Sequence, residues 1–204
     1  GTLRAHANSC RHRGARVLEG KGNCKRAMMC PYHAWTYDLE GRLTGAPDME
    51  RTAGFDKANY GLRPVRLEVW EGFVFINFNP DCEGLIEYLG DMPARFAPYG
   101  FEDWVCVRRS VYENDCNWKL LIENALESYH TTTVHADSLG TQIGEDVDTA
   151  GNWDALYLAG ETSVSILPGE TATFPHVPNL PGKLANGAYF TVIYPNTQFA
   201  CTQD

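Results

Sequence analysis

The feature that most constrains this chain is a pair of short ligand motifs, Cys10-Arg-His12 and Cys30-Pro-Tyr-His33, with 17 residues between them. Each motif offers one soft thiolate and one imidazole from a single turn, so the two turns together supply two Cys and two His. Two kinds of metal site accept that set. Zinc takes tetrahedral mixtures of sulfur and nitrogen, whereas a [2Fe–2S] cluster can take two Cys on one iron and two His on the other. Zinc fingers usually pair Cys with Cys and His with His. Here the pairs are interleaved, so each loop can hand one ligand to each iron. That arrangement suits a two-metal cluster clamped between two loops, with zinc as the alternative. His12-Arg13-Gly14 permits a tight turn in the first loop, and Pro31 with Trp35 gives the second rigidity and aromatic cover.

Such loops need short strands to hang from, and residues 1–80 read as all-β. The runs Thr2–Ala7, Leu62–Val69 and Phe73–Phe78 are rich in β-formers and separated by glycine turns, with Glu71-Gly72 marking a tight hairpin. Gly84–Leu89 reads as a short helix and Trp104–Tyr112 as a strand. Trp118–His130 reads as a helix with Asn117 as N-cap and Leu120, Leu121, Ala125 and Leu126 at helical spacing. Residues 136–153 are polar and read as a loop, and strands resume at Leu156–Leu167 and Tyr189–Tyr194. The expected fold class is α+β, with a β domain over 1–85 and a second, α+β domain over 86–204.

Composition removes several function classes. A net charge of −9 argues against a nucleic-acid partner, because phosphate backbones select basic faces. No apolar run approaches the ~20 residues that span a bilayer, and the N-terminus lacks a signal-peptide pattern. Seven Cys is an odd count, and without a secretory signal it predicts reduced thiols and a cytoplasmic protein. The chain begins without Met in a strand-like run and stops after another, so it is expected to be part of a longer protein.

A second constellation lies in Asn117-Trp118-Lys119 through Glu127, His130 and His135. Glu127 and His130, three apart, share one helix face. His130 and His135 would sit about 140° apart on an ideal helix, so a shared metal requires the helix to bulge or break between them. The β-branched run Thr131-Thr132-Thr133-Val134 is the expected place for that break.

Taken together, Cys10-X-His12-Arg-Gly, Cys30-Pro-Tyr-His33-Ala-Trp and the later Asn-Trp-Lys, Glu127 and His-X4-His run resemble the α subunits of Rieske ring-hydroxylating oxygenases. Respiratory Rieske proteins carry a disulfide-forming Cys in each cluster loop; Ala15 and Tyr32 stand at those places here, which points to the oxygenase branch. The resemblance implies an antiparallel β Rieske domain followed by the start of a helix-grip catalytic domain. It implies a [2Fe–2S] cluster on Cys10, His12, Cys30 and His33, a mononuclear Fe(II) on His130 and His135, and O2 as co-substrate. Glu127 would bridge a cluster His of a neighbouring subunit to His130, where the family usually has Asp. Glu there resembles a subgroup acting on quaternary ammonium compounds such as carnitine and glycine betaine.

The third iron ligand of that family is a carboxylate expected beyond this chain; Asp137, Glu145, Asp146, Asp148 and Asp154 read as solvated loop residues. The chain alone is therefore expected to be inactive. Its parent is expected to hydroxylate a small organic substrate, aromatic in the first instance or a quaternary ammonium compound in the second. Electrons would come from an NAD(P)H-dependent reductase or a ferredoxin, within a homotrimer or an α3β3 assembly. The reading from another class is a Rieske electron carrier without catalytic iron. Trp35, Trp70 and Trp118, and the thiols at 82, 106, 116 and 201, read as core, while His6 and His176 have no partner at ligand spacing.

Overall fold

Short strands joined by glycine turns build the first part of the molecule, and a longer-stranded sheet builds the second. The computed structural model describes residues 1–138, 142–160, 170–171 and 174–204, and the chain divides into Gly1–Cys82 and Glu83–Asp204. The expected division at 85/86 falls three residues later.

In the first unit, β1 (Ala5–His6) is followed by β2 (Ala27–Met29), β3 (Thr36–Asp38) and β4 (Leu43–Gly45), then by β5 (Pro64–Trp70) and β6 (Phe73–Asn77). They form two antiparallel sheets, β1-β5-β6 and β2-β3-β4. The β5–β6 hairpin closes through Glu71 at φ 48° and Gly72 at φ 83°. Positive φ at both central residues is the geometry whose twist matches paired strands. Asp38 shapes the β3–β4 turn by accepting the backbone N–H groups of Glu40 at 3.0 Å and Arg42 at 2.8 Å. Trp35, Tyr37, Leu43 and Leu62 pack with Cys10 and Cys30 in one buried cluster.

The second unit opens with helices α1 (Leu85–Leu89) and α2 (Met92–Phe96), continues through α3 (Trp118–Ala125) and α4 (Thr131–Val134), and adds strands β7 (Gly144–Asp146), β8 (Trp153–Ala159), β9 (Gly187–Ile193) and β10 (Thr197–Cys201). The sheet is antiparallel in the order β10-β9-β8-β7. Phe96 lies edge-on to Trp153, Tyr189 and Phe199 at 5.8, 5.7 and 5.7 Å, which seals one sheet face under α2. Burying rings of this size stabilises by about 1.5–3 kcal/mol apiece. Asp91 fastens the same corner, accepting the Trp153 indole N–H at 3.0 Å and the Ala150 N–H at 3.0 Å. Gly90 sits at φ 60° with the Ala150 carbonyl where a Cβ would be, only 1.8 Å away, so no other residue fits.

Several expectations fail here. No strand forms over Trp104–Tyr112: Val105, Val107, Val111 and Tyr112 are 80, 81, 76 and 81% exposed and pair with no strand among the described residues. An alternating sequence is only half of a strand; its backbone groups also need a ladder partner. The polar stretch 136–153 is not wholly loop, because Gly144–Asp146 forms β7. Among the described residues it pairs only with β8 and stands at the sheet edge, where charged residues are the rule. The strand expected at 156–167 begins earlier, at Trp153, and residues 161–167 lie outside the described residues. Trp35 and Trp70 are core, but Trp118 is 47% exposed. Of the thiols expected to be buried, only Cys201 is; Cys82 is half-buried, and Cys106 and Cys116 are exposed.

Candidate metal centres

The first centre is built from two matching turns. Cys10 N–H donates to the Ala15 carbonyl at 2.8 Å and Gly14 N–H to the Cys10 carbonyl at 2.9 Å; Cys30 N–H donates to the Trp35 carbonyl at 2.8 Å and Ala34 N–H to the Cys30 carbonyl at 3.0 Å. Both turns need a left-handed residue four places after the Cys. Gly14 takes φ 73° and Ala34 takes φ 57°. Glycine does this without penalty, whereas alanine pays about 1–2 kcal/mol.

These turns bring all four expected ligands together. Cys10 and Cys30 are 4% and 2% exposed and face each other, and the His12 and His33 rings meet edge-on with centroids 4.7 Å apart. Thiol gathers with thiol and imidazole with imidazole. That grouping is the one a cluster with two Cys on one iron and two His on the other would take.

The chemistry of the donors agrees. His12 Nδ1 is buried and has no hydrogen-bond partner, a costly condition for a ring nitrogen unless it serves as a metal donor. Burial, with help from the His33 and Arg13 charges, holds the His12 ring below its ordinary pKa and so in the neutral form that binds metals. Burial pushes the Cys10 thiol up, but hydrogen bonds from the Tyr37 hydroxyl and neighbouring N–H groups outweigh it and favour the thiolate. Tyr37 lies 3.3 Å from Cys10 Sγ and accepts the Arg11 N–H at 3.0 Å. Sequence reasoning missed Tyr37; its signal was the two-residue step from Trp35, which carries both rings into the same core. Trp35 stacks on His12 at 4.9 Å and 11°.

The second centre differs from its expected form. The helix does not run from Trp118 to His130. Asn117 caps it as expected, accepting the Lys119 N–H, but the helix ends at Ala125. The break thus lies upstream of His130, and the Thr131–Val134 run expected to break is itself a helical turn, α4. Its hydroxyls explain this. Thr131 Oγ1 donates to the Ser128 carbonyl at 2.6 Å and Thr132 Oγ1 to the Tyr129 carbonyl at 3.2 Å, which anchors the turn to the preceding bend. Glu127 accepts the His130 backbone N–H at 3.2 Å, doing for α4 what a capping carboxylate does.

His130 and His135 therefore bracket one turn, and their rings meet at 5.3 Å. His130 Nδ1 is bonded to the Glu127 carboxylate and His135 Nδ1 faces Ser138 Oγ at 3.3 Å. With Nδ1 occupied on each ring, Nε2 is the free donor on both. Burial would raise the Glu127 carboxyl, but its hydrogen bonds from His130 win and hold it below the ordinary range, hence anionic at neutral pH. Asp146, Asp148 and Asp154 line a separate 460 Å³ hollow with Leu126 and supply no third ligand to the His pair. His176 is exposed. His6 is packed over Gly41, where a Cβ would come within 2.7 Å of its ring. No described helix is long and apolar enough to cross a membrane.

Comparison with known proteins matches two domains in this chain. Residues 1–60 match the Rieske [2Fe-2S] domain, and residues 101–204 match the ring hydroxylating alpha subunit (catalytic domain). The carnitine monooxygenase oxygenase subunit of Escherichia coli (strain K12) is 38% identical over 159 residues, which are 76% of this chain and 42% of that one. The anthranilate 1,2-dioxygenase large subunit of Acinetobacter baylyi is 38% identical over 166 residues, 76% of this chain and 35% of that one. A solved quaternary ammonium Rieske monooxygenase in complex with L-carnitine superposes with a TM-score of 0.76 at 29% identity, covering 98% of this chain and 51% of that one. The chain thus spans only about two-fifths of the length of the first curated relatives it matches. These matches show that this chain belongs to the family of ring hydroxylating alpha subunits and carries a Rieske [2Fe-2S] domain.

Proposed function

We propose that this chain forms the electron-entry part and the first two iron ligands of a terminal oxygenase. Cys10 and Cys30 would hold one cluster iron and His12 and His33 the other, while His130 and His135 would hold the mononuclear Fe(II), with a carboxylate from elsewhere completing a facial triad. When bound, the cluster supplies single electrons and the Fe(II) supplies open positions for O2 and substrate. The chain's own residues do the rest. Tyr37 and the turn N–H groups stabilise the thiolate at Cys10, Trp35 shields His12, and Glu127 fixes the His130 ring with Nε2 outward. An anionic Glu127 can also accept from a cluster imidazole of a neighbouring copy, joining the two centres through hydrogen bonds. A homotrimer or an α3β3 assembly would supply that neighbour, and an NAD(P)H-dependent reductase or a ferredoxin the electrons.

The observation that carries this reading is the convergence of His130 and His135 with each Nδ1 already engaged. It favours an oxygenase over an electron carrier, which has no use for a second imidazole pair. For substrate class, a quaternary ammonium compound is favoured by Glu127 and by the carnitine and glycine betaine monooxygenase relatives. An aromatic acid is the second reading, supported by the anthranilate dioxygenase likeness. Iron and sulfide analysis with EPR of the reduced protein tests the core claim: about two irons with sulfide plus about one further iron are expected. His130→Ala should remove only the further iron. A cluster without third iron would leave an electron carrier, and zinc without sulfide would sink the proposal.

A further inference from the structure

The turn that carries His130 and His135 is too short to hold itself. α4 is four residues long, and a helix of that length has no stability of its own in water. Metal ligands must nonetheless be kept within about 0.5 Å of a working geometry. Two hydroxyls tie the turn to the sheet. Ser128 Oγ accepts the Gly144 N–H at 2.9 Å, and Thr131 Oγ1 lies 3.2 Å from the Gln142 carbonyl. The Thr131 proton is shared between that carbonyl and the Ser128 carbonyl at 2.6 Å, a three-centre bond made by the buried residue of α4. Gln142 leads into β7 and Gly144 opens it, and β7 is an edge strand with N–H and C=O groups to spare. The turn takes one of each, as a neighbouring strand would. β7 is itself fixed. Gly144 and Asp146 pair with Leu158 and Leu156 of the buried strand β8. Glu145 is ion-paired with Lys183, whose ammonium lies 4.8 Å from the centre of the Tyr157 ring.

We propose that Ser128 and Thr131 are positioning residues of the second centre, whose hydroxyls fasten the turn of His130 and His135 to β7. The inference rests on the proposed function, since it concerns how the iron-binding pair is held. Both hydroxyls act on the site through the backbone. Ser128 follows Glu127, which is bonded to His130 Nδ1, and the Thr131 carbonyl accepts the His135 N–H at 3.1 Å. The clamp therefore lies between the two imidazoles in the chain of contacts, and loosening it frees both at once. A metal that needs both Nε2 atoms in one place is the reporter of that loss.

The test uses Co(II) as the probe, added to the holoprotein after its second-site iron has been removed. Titration reads the affinity, and the visible absorption bands read the ligand geometry. Ser128→Ala and Thr131→Val should each weaken Co(II) binding about 10–100-fold, as loss of a ligand's supporting partner does, and should alter the bands. Thr131→Ser keeps the hydroxyl and should bind within about threefold of the unsubstituted protein. The EPR signal of the cluster should be the same in all three. A second measurement needs no variant. Loading Co(II) should slow hydrogen exchange in residues 142–146 of the unsubstituted protein, because coupling between two sites is reciprocal. Unchanged Co(II) affinity in S128A and T131V overturns the clamp alone, and so does exchange at 142–146 that ignores the metal. Equal losses in T131S and T131V also overturn it, because the hydroxyl would then not be the group that matters. Co(II) binding that His130→Ala leaves unchanged overturns the underlying proposed function instead.

Discussion

The two centres solve the same problem, gathering ligands, in opposite ways. The first is closed by the chain itself: four ligands come from two turns of identical hydrogen bonding, and both thiols are buried. The second is left open. Its two imidazoles bracket a single helical turn, its carboxylate Glu127 is 39% exposed at the side chain, and Tyr129 beside it is 90% exposed. Burial in the first centre covers the thiols and not the imidazoles, because His33 is exposed while the His130 side chain is 27% exposed, so the second centre is open in its unfilled ligand set rather than in its surface.

The largest way to break this contrast is Cys30→Ser. Because Cys30 and Cys10 are the two thiols of that buried cluster, iron and sulfide should both be lost entirely when one is replaced, which metal analysis and the visible spectrum would read. Survival of sulfide would show that the site is less self-contained than its turns indicate.

Glu127→Gln probes the open site next. It keeps the size and a hydrogen bond but removes the negative charge beside His130. Both metal contents should persist while single-turnover transfer from reduced cluster to the second site slows about 10–100-fold, the usual effect of losing a ligand's supporting partner. A rate unchanged within twofold would reduce Glu127 to a cap for α4.

Stability separates the units at smaller scale. Asp91→Ala removes the acceptor of the Trp153 indole and the Ala150 N–H and should cost about 2–3 kcal/mol in denaturant unfolding. Burial would raise the Asp91 carboxyl, but its hydrogen bonds from Ala150, Arg95 and Trp153 hold it below the ordinary value. Its contribution is therefore full above the unfolded value near ~3.9 and lost as pH falls through the lower folded value. The deficit of the variant should shrink in acid; a deficit constant down to pH ~2 would contradict this assignment. Smallest is Ala34→Gly, which relieves a left-handed alanine and should stabilise the first unit by about 1 kcal/mol. A loss of stability would mean that the methyl group's packing outweighs its strain.

Much of this was legible in the sequence for a physical reason. Ligand spacing, glycine bends and the Glu71-Gly72 hairpin are local, and local rules act within a few residues. The cap at Asn117 was legible on the same ground. What failed depended on partners distant in the chain. Val105, Val107 and Val111 alternate correctly but have no described ladder, and Gly144–Asp146 looks like loop until β8 lies beside it. The helix break was misplaced because β-branching was weighed without the hydroxyls of Thr131 and Thr132, which bond backward and hold the turn they were expected to disrupt. Tyr37 was passed over because nothing within its own neighbourhood in sequence shows that it reaches Cys10, 27 residues away.

The twin turns carry one more consequence, for how such chains are found. The same bend is spelled with glycine at 14 and with alanine at 34, and the backbone hydrogen bonds are the same in both. A search pattern that insists on glycine after the second histidine would pass over this chain although its loop is intact. A pattern written on the two Cys-to-fifth-residue hydrogen bonds, and on a small residue at each bend, would keep it.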